Sequence, residues 1–117
     1  MRNEVKQILT DLTVNSELIP VANMRYRGDS KTFVTWTLTG ERPSLSAYDI
    51  DLYSVVELDV DVFSDKGYLD IVNEVKKRFI SNDWVWVEDS PELFEEETGL
   101  YHLCITFEKE RYVEWQE

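Results

Sequence analysis

Residues 53–63 read Tyr-Ser-Val-Val-Glu-Leu-Asp-Val-Asp-Val-Phe. Val56, Leu58, Val60 and Val62 fall on one side of an extended chain, and Glu57, Asp59 and Asp61 fall on the other. A helix would scatter these two sets around its circumference, whereas a strand sorts them cleanly, because strand side chains alternate with a period of two. The stretch therefore predicts a long strand with one buried and one wet face. Ser64-Asp65-Lys66-Gly67 follows as a turn. Next comes a helical pattern over about Tyr68 to Asn82, with Leu69, Ile71, Val72, Val75, Phe79 and Ile80 on a broad apolar face and Glu74, Lys76, Lys77 and Arg78 mostly on the wet side. Each apolar face needs a partner to leave water, so Val56, Leu58, Val60 and Val62 should pack against Val72, Val75 and Phe79.

Upstream of the strand, Thr32 to Thr39 is rich in β-favouring residues and places Val34, Trp36 and Leu38 on one face. Val21 to Arg27 reads as an irregular or edge strand, and Gly28-Asp29-Ser30 as a turn. Val5, Ile8, Leu9 and Leu12 recur at helical spacing, predicting a helix from Asn3, as N-cap, to about Leu12. Downstream, Trp84 to Val87 reads as a short strand with Trp84 and Trp86 on one face. Glu92 to Glu97 reads as a loop or one helical turn. Leu100 to about Glu108 reads as a last long strand, with Tyr101, Leu103, Ile105 and Phe107 alternating against His102, Cys104, Thr106 and Glu108. The order α-β-β-β-α-β-β predicts an α+β domain, a largely antiparallel β-sheet with two helices packed on one face. A single domain over residues 1–117 suits the length.

Composition narrows the function classes. Twenty-four acidic residues against twelve basic ones give a formal charge of −12, a field that repels nucleic acid and anionic membranes at long range. It favours solubility, a basic partner, or a surface that DNA must pass without sticking. One cysteine, Cys104, cannot form an intramolecular disulfide, and no apolar run approaches the roughly 20 residues of a membrane span. With no apolar segment at the N-terminus to act as a secretion signal, the expectation is a protein made and used in a cytoplasm.

Candidate chemistry is sparse. His102, the single histidine, lies two residues from Cys104, so strand geometry puts thiol and imidazole on one face. No glycine-rich oxyanion loop accompanies them, and one Cys with one His falls short of a zinc set. Glu57, Asp59 and Asp61 form an acidic row that could hold a cation or do acid–base work, yet alternation puts acids on the solvent face of any half-buried strand. No phosphate-binding glycine loop is present, and aromatics are not interleaved with basic residues as in a nucleic-acid stacking surface. The expectation is a non-enzyme without cofactor or metal. Interface residues are expected instead in two connections: Gly40 to Asp51, which carries Leu45, Tyr48 and Ile50 in a polar stretch, and the acidic Asp89 to Thr98, which carries Glu95, Glu96 and Glu97.

An ordered set of segments resembles the tail completion proteins of long-tailed bacteriophages and prophages, also called tail terminators or head–tail joining proteins. These segments are the N-terminal helix, Ile19-Pro20-Val21, Tyr26-Arg27-Gly28, Phe33-Val34-Thr35-Trp36-Thr37, Asp59-Val60-Asp61-Val62-Phe63-Ser64, Tyr68-Leu69 opening the helix that runs to Phe79, and Phe94-Glu95-Glu96-Glu97-Thr98-Gly99-Leu100-Tyr101-His102. In that family an acidic residue followed by Thr-Gly-Leu-Tyr-His opens the final strand in this way. The resemblance covers nearly the whole chain. It implies a ring-forming subunit, commonly of a hexamer, that caps the tail tube and meets the head connector protein, with the tail tube protein as its other neighbour. DNA would pass through the ring without being specifically bound, no membrane would be involved, and the protein would reside in the virion tail after assembly in the host cytoplasm. The competing reading is a small acidic inhibitor that mimics DNA and binds a DNA-binding protein.

Overall fold

A computed structural model describes residues 1–44 and 53–112. The architecture is α+β, two helices on one face of a mostly antiparallel sheet. Helix α1 spans Arg2–Ile8 and α2 spans Leu69–Ser81. The strands are β1 (Thr13–Val14), β2 (Glu17–Leu18), β3 (Val21–Asn23), β4 (Phe33–Pro43), β5 (Tyr53–Ser64), β6 (Val85–Asp89), β7 (Leu93–Glu95) and β8 (Leu100–Tyr112). In the main sheet the order is β3-β4-β5-β8, with β6 and β7 both pairing to the far side of β8, one after the other. β1 and β2 form a separate two-stranded ribbon after α1.

β5 is the centre of the sheet, and its burial alternates as its sequence pattern predicts. Its four alternate apolar residues, Val56, Leu58, Val60 and Val62, are buried and join Val72, Val75 and Phe79 of α2 in one core. Across the register, Val34, Trp36 and Leu38 of β4 lie beside Val62, Val60 and Leu58, and Leu103, Ile105 and Phe107 of β8 lie beside the same three from the other side. Val5, Ile8, Leu9 and Leu12 complete the core, so both helices cover the same face. Phe79 stacks on Phe107 and meets Trp84 edge-on.

Several elements depart from expectation. α1 begins at Arg2 with Met1 at the cap position and ends at Ile8, before Leu12. Its C-terminal end is closed by tertiary contacts, because Arg78 of α2 donates to the carbonyls of Ile8, Thr10 and Asp11; that arginine is not on the wet side. Leu69 and Ile80, expected on the apolar face of α2, are exposed. β3 is shorter than expected and runs parallel to β4, so residues 24–32 cross over to return the chain to the start of β4. Trp84 and Trp86 part company: Trp84 is buried, while Trp86 lies half-exposed on the edge strand under the Lys76 ammonium. Leu93–Glu95 is a strand, neither loop nor helical turn, held by the free edge of β8.

The strands outrun the helices. β8 has 13 residues and so does α2, but a strand rises about 3.3 Å per residue against 1.5 Å for a helix. At the end away from the start of α2, Arg42, Pro43, Tyr53, Arg111 and Tyr112 form an exposed overhang, braced by the Arg111–Glu41 ion pair, the Arg42–Glu108 pair and an edge-on Tyr53–Tyr112 contact. The molecule measures 49 × 26 × 23 Å.

Candidate functional site

The face of the sheet opposite the helices is covered by no secondary-structure element among the described residues. It carries the acidic row. Glu57, Asp59 and Asp61 project from β5 between β4 on one side and β8 on the other, and each carboxylate is engaged by a neighbour. Thr39 donates to Glu57 Oε1 (3.0 Å), Thr106 donates to Asp59 Oδ1 (2.9 Å), and His102 Nε2 lies 2.7 Å from Asp61 Oδ1. Partial burial raises the Asp59 carboxyl above its ordinary range, with Asp61 and Glu57 adding like-charge repulsion.

His102 and Cys104 do share this face, as the alternation of β8 predicts. The imidazole hydrogen-bonds Asp61. Burial, with the charges of Asp61 and Asp59 beside it, pushes the Cys104 thiol up to about 12. A thiol so placed stays protonated at neutral pH and is a poor nucleophile, since the thiolate is the reactive form. Among the described residues no three or more His, Cys, Asp or Glu side chains are grouped to hold a metal ion. Among the described residues no helix is long and apolar enough to cross a membrane.

At the end of this face where α2 begins, an aromatic row crosses the sheet. Tyr26, from the crossover after β3, stacks on Phe33 at 4.4 Å between ring centroids; Phe33 stacks on Phe63 at 4.7 Å, and Phe63 on His102 at 4.2 Å. Leu93 of β7 stands opposite His102 at the far edge. The row joins the crossover loop to the outermost strand across β4, β5 and β8. Sequence reasoning missed it because its members lie up to 76 positions apart and meet only through register.

Of the two expected contact connections, Leu45, Tyr48 and Ile50 lie outside the described residues. Glu95 ends β7, and Glu96 and Glu97 follow in the turn to β8; all three are exposed. That turn explains part of the Glu97-Thr98-Gly99-Leu100-Tyr101-His102 block. Gly99 adopts φ 73°, a left-handed conformation that favours glycine. Its N–H donates to the Glu95 carbonyl, and the Thr98 hydroxyl oxygen accepts from Leu100 N. Tyr101 then packs between Phe94 and Tyr68, and the Tyr68 hydroxyl donates to Glu92 Oε1 at 2.7 Å.

No known protein-family model matches the chain, and no curated protein matches it.

Proposed function

We propose that this chain is a structural subunit of the tail completion kind, assembling as a ring that caps a phage tail tube and joins tail to head. The observation that carries this reading is the ordered resemblance along nearly the whole chain, above all the Phe94–His102 block. The geometry of that block is consistent with a structural role: Thr98 and Gly99 build the turn, while Tyr101 and His102 pack on neighbouring aromatics. The partners in this reading are further copies of the chain, the tail tube protein and the head connector protein. DNA passes through the centre without being gripped, since fixed carboxylates repel phosphates. The protein would reside in the virion tail. No enzymatic step, cofactor or metal is invoked. The acidic-inhibitor alternative draws support from the charge of −12, but the carboxylates of the sheet row are each engaged by a neighbouring side chain.

Deleting the gene from its phage and imaging the particles tests the proposal. The expected result is unjoined or overlong tails beside filled heads. Normal infectious virions would remove this reading and turn attention to the acidic inhibitor.

A further inference from the structure

The aromatic row ends in opposite charges. On the β3 side, the crossover loop of residues 24–32 carries Arg25, Arg27 and Lys31 against a single acid, Asp29. All three basic residues are exposed. None of them takes part in an ion pair among the described residues. On the β7 side, residues 91–99 carry Glu92, Glu95, Glu96 and Glu97 and no basic residue. Each patch also exposes apolar surface, Met24 in the loop and Leu93 and Phe94 in the strand. Asp65, Tyr68, Glu92 and Tyr101 help line an open depression of about 720 Å³ beside the acidic edge, together with Lys66, whose ammonium is paired with Glu17. Aromatic walls and a carboxylate suit a guanidinium.

The patches sit on opposite edges of the sheet: the Thr32 end of the loop is level with β7, and Met24, bonded to the Trp36 carbonyl, is level with Asp89 of β6. Three strand spacings separate β4 from β7, roughly 14 Å or more, beyond the Debye length of about 8 Å at physiological salt. Within one chain the two patches cannot neutralise each other. Between two chains they can, without any change of fold.

We propose that the basic loop of one copy docks on the acidic β7 edge of a second copy of this chain. This rests on the ring reading above and names the surfaces that would make the ring. The contact joins two different patches, so every subunit added keeps one free loop and one free edge, which is the condition for a closed ring or an open filament. Opposite charges set partner and register, Met24, Leu93 and Phe94 supply apolar contact, and the depression beside Tyr101 receives an arginine side chain.

The test is a charge swap on the full chain, read by sedimentation equilibrium up to millimolar concentration, with circular dichroism and thermal midpoints as folding controls. Wild type should self-associate, less so as salt rises. Arg25→Glu with Arg27→Glu should weaken self-association at least about tenfold, and Glu95→Lys with Glu96→Lys should do the same. Mixing the two variants should restore association, because the acidic loop of one then meets the basic edge of the other, and the second contact of the pair is wild-type. If a reversal unfolds the chain, the neutral pairs Arg25→Ser with Arg27→Ser and Glu95→Gln with Glu96→Gln replace it, and each should weaken association in the same direction. Monomeric wild type at millimolar concentration, reversals without effect, or a mixture that stays dissociated would each overturn the proposal. Phage imaging separates the two readings. Failed head–tail joining on gene deletion, with charge swaps that do not alter association, sinks the edge pairing alone. Charge-coupled oligomers from a gene that proves dispensable for virions sink the tail reading alone.

Discussion

The two faces of β5 belong to the same stretch of chain and do opposite things. On one side Leu58, Val60 and Val62 are wholly buried under the helices. On the other, Glu57, Asp59 and Asp61 are half-buried, each accepting a hydrogen bond from a neighbouring strand. The covered face derives its stability from apolar area removed from water, which is large and indifferent to pH. The open face gains little area, so its order comes from cross-strand pairs of modest individual worth. Stability is thus concentrated on one face, while the other is free to vary or to bind.

The largest expected effect tests the covered face. Leu58→Ala should destabilise by about 2–5 kcal/mol in denaturant unfolding, since it leaves a cavity at the middle of the core. A loss under about 1 kcal/mol would mean that the face is not the main source of stability. Arg78→Ala should cost about 2 kcal/mol, because three carbonyls at the end of α1 lose a charged donor; amide exchange should report loosening of residues 8–12 in particular. On the open face, His102→Ala should cost about 1–2 kcal/mol, the worth of one ring stack and one hydrogen bond at a partly exposed side chain. A loss as large as that of Leu58→Ala would erase the contrast between the faces.

The smallest effect has a sign set by pH. Burial and neighbouring acids raise the Asp59 carboxyl in the fold, so its ionisation costs the native state at neutral pH. That cost is fully present above the folded pKa and absent below the unfolded value of about 3.9. Asp59→Asn should therefore raise the thermal midpoint slightly at neutral pH, with the gap closing as pH falls through the folded pKa. A gap that widens on acidification would contradict the environment described for Asp59.

Much of the fold was legible because it is written in periodicity. The alternation of β5 and β8 and the apolar face of α2 each follow from local spacing, and their mutual burial follows from the need to leave water. What was not legible depends on partners distant in sequence. Leu93–Glu95 has the composition of a solvated loop, and only the free edge of β8 makes it a strand. Arg78 has the spacing of an exposed residue, and only the end of α1 gives it three acceptors. Leu69 is the first residue of α2, and Ile80 lies about 100° round the helix from Phe79, off the face that Val72, Val75 and Phe79 turn to the sheet. In the candidate site, the shared face of His102 and Cys104 was readable from alternation. The Asp61 partner, 41 residues away, and the aromatic row required the register.

The overhang beyond the helices has a mechanical meaning. Three strands that continue past the helices act as a cantilever anchored at the core. Their stiffness comes from backbone ladders and two ion pairs, so the tip should yield before the root. Amides near Arg42 and Tyr112 would exchange with solvent long before those near Val60.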